Sequence, residues 1–188
     1  MDGCRRRGEL RRYPVGRPLP SVRGRALGEE VALFMSTFVN KVDRKGRVSV
    51  PATFRLQIQN TAQSFPGIVA YPLVEQEALE ATTIDRMQAI SAALDELDEA
   101  QQRQELATII FGRSHHLAFD PEGRILLPEP FVAHARITEN AAFVGLGETF
   151  QIWEPERFAA HEAALLDRAR REGTRLPPLG SLLARRRQ

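Results

Sequence analysis

The chain repeats itself. Asp43-Arg44-Lys45-Gly46-Arg47-Val48-Ser49-Val50-Pro51-Ala52-Thr53-Phe54 aligns without gaps with Asp120-Pro121-Glu122-Gly123-Arg124-Ile125-Leu126-Leu127-Pro128-Glu129-Pro130-Phe131, 77 residues further on. Asp, Gly, Arg, Pro and Phe are identical in the two segments, and Val48/Ile125 and Val50/Leu127 are alike. Five identities in twelve mark a duplicated unit. The likeness is expected to continue downstream, where Val69-Ala70-Tyr71-Pro72 and Gln151-Ile152-Trp153-Glu154-Pro155 each read as an apolar-aromatic strand entering a Pro-containing helix start.

Each copy carries its own folding instructions. Thr37–Val42 and His115–Phe119 are β-prone. In the Asp-x-x-Gly turn that follows, Asp43 and Asp120 can accept hydrogen bonds from backbone N–H groups two or three residues on. Gly46 and Gly123 can take the positive φ that closes the turn. These four residues are assigned to structure, not to catalysis: a carboxylate beside arginine stays ionised and is a poor acid or base near neutral pH. Arg-Val-Ser-Val and Arg-Ile-Leu-Leu then form return strands. Pro51 and Pro128 stop them and open short helices, Ala52–Ile58 and Glu129–Ala135. Ile68–Tyr71 reads as a further strand, and Ala142–Trp153 as a hairpin turning near Gly145-Leu146-Gly147.

Between the copies, residues 73–111 read as helical. Met87, Ile90, Leu94 and Leu97 make one apolar stripe, Leu106, Ile109 and Ile110 another, and Gly112 a stop. Asp95, Glu96, Asp98 and Glu99 read as a solvated face. The chain divides into a basic extension (1–30), a first repeat (36–82), a connecting helical region (83–112), a second repeat (113–165) and a flexible tail (172–188). The extension combines Arg-Arg-Arg with prolines and glycines and reads as disordered. It is expected to lie outside the biological protein, with a start at Val31 or Met35, or else to be a basic arm.

Charge is informative by position. The formal net charge of +2 conceals tails rich in arginine and a middle, 31–162, with eleven Lys/Arg against eighteen Asp/Glu. Inside that acidic middle, positive charge gathers once. Lys41, Arg44, Lys45, Arg47 and Arg55 stand together with a single acid, Asp43, whereas 75–105 carries nine acids and two arginines. Phosphate is drawn to the first stretch and repelled by the second. Arg47, at the turn's exit, is the first choice for contacting guanine or phosphate with its planar fork; the competing reading is an Arg47–Asp43 ion pair that braces the hairpin. Arg124 and Asp120 pose the same alternative. Arg44 and Lys45 occupy the tip and are expected to meet phosphate, steepening salt dependence without specifying sequence. Lys41 and Arg55 are weaker candidates.

Other chemistries find little support. No apolar run nears the roughly 18 residues of a membrane span, and no secretory signal is visible. Cys4 is the only cysteine, which fits a reducing, cytoplasmic setting and rules out an internal disulfide. Walker, dinucleotide and Gly-x-Ser-x-Gly motifs are missing, so an enzyme with a small-molecule substrate or cofactor is not expected. His115 and His116 are adjacent on a strand, point to opposite faces and make a poor metal site. Tyr71 and Trp153 read as packed aromatics.

These motifs resemble one family. Val39 through Pro51 resembles the first signature of the MraZ proteins, and Phe111-Gly112 through Asp120-x-x-Gly-Arg124-x-x-x-Pro128 to Phe150-Gln151-Ile152-Trp153-Glu154 resembles the second; the likeness spans roughly 31–165. It implies an α+β chain of two AbrB-like swapped-hairpin β-barrel units, with helices between and after them. It implies a DNA-binding transcriptional regulator of the cell-division and cell-wall gene cluster. Such a protein acts on repeated promoter sites in double-stranded DNA, associates with the nucleoid and assembles as a homo-oligomeric ring that gains avidity from repeated tips. Rival readings are an AbrB-like antitoxin and a scaffold that does not bind DNA. The extension before residue 31 lies outside the family pattern. So does Pro121-Glu122 in place of Arg44-Lys45, which leaves open whether the second hairpin touches phosphate.

Overall fold

The computed structural model describes residues 32–61 and 65–173. Readings that concern residues 1–30 or the tail beyond 173 lie outside the described residues.

Both motifs fold locally as their sequences dictate. Strand β1 (Thr37–Lys41) enters the first turn, and β2 (Arg47–Ser49) leaves it. Pro51 then admits helix α1 (Ala52–Thr61). In the second copy, β5 (His115–Ala118), β6 (Arg124–Leu126) and α4 (Glu129–His134) follow the same order. Downstream of each comes an antiparallel hairpin: β3 (Gly67–Pro72) with β4 (Ala78–Thr82), and β7 (Asn140–Gly145) with β8 (Phe150–Trp153). Each hairpin feeds a helix. Thr83 accepts from the Arg86 amide to cap α2 (Ile84–Asp95), and Glu154 accepts from the Arg157 amide to cap α5 (Pro155–Arg171). Helix α3 (Ala100–Ile110) completes a helical arm with α2.

Two expectations need correction. The segment from 73 is not helical throughout, because β4 occupies 78–82 and Pro72 ends a strand instead of starting a helix. The true counterpart of Glu154-Pro155 is therefore Thr83-Ile84, not Pro72. The ordered first half also begins before residue 36. Phe34 is fully buried and bridges to Gly147, with its amide 2.7 Å from that carbonyl. A chain starting at Met35 would lack this residue; one starting at Val31 would keep it.

The two copies do not close separate barrels. One six-stranded antiparallel sheet runs β1-β7-β8-β4-β3-β5, interleaving the hairpins of both halves, and β2 pairs with β6 in a separate two-stranded ribbon. β1 and β2 are joined by an isolated bridge between Val42 and Val48 and by Asn40 Nδ2, which donates to Ser49 O at 2.7 Å. The core lies between one face of the large sheet and a cover made by the ribbon, α1 and α4. Period-two alternation sends Leu79, Ala81, Phe143, Phe150 and Ile152 into it from the sheet, and Val48 and Ile125 from the ribbon. At its centre Phe34, Phe54 and Phe150 are mutually 4.9–5.1 Å apart by ring centroid. The opposite sheet face is covered by α5, where Trp153 packs on Phe158 and His161.

The arm α2–α3 is shallowly packed. Met87 is buried, and Ile90, Leu94 and Leu97 of the expected stripe are half-buried, while Asp95, Glu96, Asp98 and Glu99 are exposed. Among the described residues, no helix is long and apolar enough to cross a membrane.

Phe54→Ala is expected to lower unfolding free energy by about 3–5 kcal/mol, read by urea denaturation. Leu166→Ala, on the exposed part of α5, should change it by less than about 0.5 kcal/mol. Equal effects from the two variants would refute the central role given to the aromatic cluster.

Candidate nucleic-acid interface

The two turns have nearly the same geometry. In the first, the Asp43 amide donates to Arg47 O at 2.8 Å and the Gly46 amide to Asp43 O at 2.9 Å. Asp43 Oδ1 accepts from the Lys45 and Arg47 amides at 2.8 and 3.0 Å, and Oδ2 from Arg47 Nε at 2.7 Å. In the second, Asp120 Oδ1 accepts from the Glu122 and Arg124 amides at 3.1 and 2.8 Å, and Oδ2 from Arg124 Nε at 2.7 Å. Gly46 and Gly123 stand at φ +79° and +74°, where an L side chain is strained. The aspartate thus binds the turn's amides with one oxygen and the exit arginine with the other. That is why the motif needs Asp, Gly and Arg at this spacing.

The turns are completed by each other. Leu127 N donates to Gly46 O at 2.9 Å, and Val50 N to Gly123 O at 3.2 Å. Between these bonds β2 and β6 pair in register, Arg47 with Leu126, Val48 with Ile125 and Ser49 with Arg124. Val48 and Ile125 point inward and are fully buried. Arg47, Ser49, Arg124 and Leu126 consequently share the outer face of a two-stranded ribbon. A ribbon of this kind has the width to enter a DNA major groove.

Electrostatics follow from the bonds. The Asp43 carboxyl is lowered from 3.8 to about 2, first by the Arg47 amide and next by its side chain. Burial pushes the Asp120 carboxyl up, but the Arg124 amide, guanidinium and charge together hold it below the usual range. Arg124 is raised in turn, chiefly by its bond to Asp120, with Glu122 and Asp43 adding their charge. Burial, helped by Glu80 across the hairpin, pushes the Tyr71 hydroxyl up to about 12.

The expected residues fall in three settings. Arg44 and Lys45 are exposed at the first tip, and their side chains make no ion pair among the described residues. Arg47 and Arg124 are braced on the ribbon face, each against its own aspartate. The bracing geometry that competed with the contact reading is present at both. Lys41 ends β1, exposed, and is not on the ribbon. Sequence reading did not single out Ser49, which alternation from Arg47 places on the same outer face. It also left Arg55 as a weak candidate. Arg55 Nη1 donates to Val50 O at 2.5 Å, and the side chain lies over Gly123. His115 packs on Phe131 and His116 on Phe65. Among the described residues, no three His, Cys, Asp or Glu side chains converge as metal ligands.

Fold and ribbon together define a class: single-chain proteins in which two Asp-x-x-Gly-Arg turns lock through each other's backbone. The profile of the family described as "MraZ protein, putative antitoxin-like" matches residues 110–175. A protein of Pelagibacter ubique named Transcriptional regulator MraZ is 42% identical over 143 residues, covering 73% of this chain and 91% of that protein. One of the same name from Rickettsia canadensis is 41% identical over 127 residues, covering 67% of this chain and 84% of its own length. The chain belongs to the MraZ family.

Two outcomes are expected. The folded-state pKa of Asp43 is depressed, so its contribution to stability is complete above pH 3.8 and is lost as pH falls through about 2. Its carboxyl carbon, followed by NMR, should titrate near the lower value; a midpoint near 3.8 would refute the brace. Gly46→Ala should cost about 1–2 kcal/mol from the left-handed backbone. Gly123→Ala should cost a similar amount by urea denaturation and should displace the Arg55 side chain, whose Nε, Cδ and Cζ lie 2.6–2.8 Å from where the new Cβ would stand.

Proposed function

We infer that this chain is a transcription regulator that binds double-stranded DNA with the outer face of the β2–β6 ribbon and its flanking turns. The observation that carries the reading is the placing of Arg47 and Arg124 on one exposed ribbon face, beside a tip whose Arg44 and Lys45 are unpaired among the described residues. The printed names of its relatives, Transcriptional regulator MraZ, point the same way.

The mechanism follows from the brace. Arg47 spends Nε and Nη2 on Asp43 and keeps the rest of its fork for a base edge or phosphate oxygen. Bracing and contact are therefore compatible: the carboxylate fixes the plane in which the arginine is offered. Arg44 and Lys45 add phosphate contacts that position the ribbon without reading sequence. One such tip gives few contacts, so binding by a single subunit is weak, on the order of 10⁻⁴ M at physiological salt. A homo-oligomeric ring of subunits supplies several tips, and promoter repeats spaced to match them turn weak contacts into avidity. The chain is in this reading an AbrB-like swapped-hairpin protein carrying both halves, nucleoid-associated, acting on the cell-division and cell-wall gene cluster. Its exposed acidic arm would face away from DNA. The words "antitoxin-like" in the matching family's description favour a second reading, in which the tail beyond 173 clamps a toxin.

Fluorescence anisotropy with the duplex upstream of the chain's own gene tests this. Arg47→Ala should weaken binding by at least tenfold, and joint replacement of Arg44, Lys45 and Arg47 by Gln should abolish it with assembly intact by light scattering. Unchanged affinity in the triple variant would remove the DNA-binding reading and leave the antitoxin or scaffold alternatives.

A further inference from the structure

The two turns are alike in backbone and unlike in charge. The first offers Arg44 and Lys45 at its tip; the second offers Pro121 and Glu122. Glu122 also accepts from Arg124 Nη2 at 2.9 Å, so the second turn's own guanidinium faces two carboxylates, Asp120 and Glu122. Left to its own residues, this turn carries more negative than positive charge and would turn phosphate away.

Arg55 changes that balance from the other repeat. It is the fourth residue of α1, the helix that starts where Val50 N bonds to Gly123 O. Its Nη1 is tied to Val50 O, and its Nε, Cδ and Cζ lie 2.6, 2.7 and 2.8 Å from where a Cβ on Gly123 would stand. The bare Cα that the positive φ demands is thus also the seat of the guanidinium. No carboxylate pairs with Arg55 among the described residues, so its charge is not cancelled as that of Arg124 is. The position 77 residues later is Val132, partly buried against the core, so α4 returns no cation to the first turn.

We propose that Arg55 makes the phosphate contact of the second turn, lent across the repeat boundary to a tip that has no free cation of its own. Each subunit then presents two cationic tips of different construction. The carbonyl of Val50 uses one N–H and fixes the plane of the fork; the remaining N–H groups are available to a phosphate oxygen, with little rotamer freedom left to lose on binding. The inference rests on the DNA-binding reading above.

The test uses the full chain and a short fluorescein-labelled duplex of mixed sequence, with affinity measured across a salt series. Each phosphate contact adds about 0.9 to the slope of log affinity against log salt. Arg55→Gln, which keeps a donor for Val50 O, should reduce the slope by about 0.9 for each subunit engaged, and Arg55→Lys should keep it. Arg44→Gln with Lys45→Gln serves as the comparison. A wild-type slope in Arg55→Gln, with a reduced slope in the comparison variant, overturns this proposal alone. Wild-type slopes in both overturn the DNA reading and this proposal with it. Should Arg55→Gln fail to fold, phenylglyoxal modification of the wild-type chain decides. Protection of Arg55 by the duplex at low salt supports the assignment, and equal modification with and without duplex overturns it.

Discussion

Two backbone hydrogen bonds, from Leu127 N to Gly46 O and from Val50 N to Gly123 O, tie each turn to the strand that leaves the other. Between them lie the three paired positions of a ribbon too short to persist alone. It persists because Val48 and Ile125 beneath it are fully buried against the shared sheet. The surface that presents the arginines and the lid that closes the core are therefore one object. Loosening the core loosens the ribbon's outer face, and a misplaced turn exposes apolar surface.

Within that object the Asp–Arg pair acts on orientation more than on stability. Both partners are about one-third exposed, where solvent screens an ion pair. What the pair does is remove rotamer freedom. A guanidinium bonded through Nε to a carboxylate that is itself held by two turn amides has little choice of direction. The same bonds hold the Asp43 carboxyl below its usual value, so the brace persists in acid where a free aspartate would begin to protonate.

The sequence showed the parts that are local and concealed those that depend on distant partners. The Asp-x-x-Gly-Arg turns, the Pro-started helices and the hairpin ending at Trp153 are written in short stretches whose residue types permit few conformations. Strand β4 was not legible, because Ala78-Leu79-Glu80-Ala81 is built of helix formers; it is extended because it lies between β3 and β8. The interleaving of the two halves in one sheet was equally hidden, since no local pattern says which edge a strand will join. Phe34 went unnoticed for the same reason: its contacts are with Phe54 and Phe150, far along the chain. At the site, the arginines were found from spacing. Whether they brace or reach outward depended on geometry, and the geometry allows one side chain to do both. Arg55 looked ordinary because its partner, Gly123, stands 68 residues away, as the difference 123 − 55 gives.

Carrying both motifs in one chain has a physical consequence. If two identical chains each supplied one motif, any change at a tip would appear at both tips, and an acidic residue such as Glu122 would be imposed twice. In a fused pair the halves can differ. The second turn can hold Pro121, which suits its backbone, and Glu122, which adds a bond to Arg124, provided that a cation reaches it from the first half. The first turn carries Arg44 and Lys45 of its own. The pairing of β2 with β6 makes this division workable, because it sets Arg55 of α1 beside Gly123 of the second turn. Charge lost from one motif can then be restored from its neighbour without moving the backbone of either.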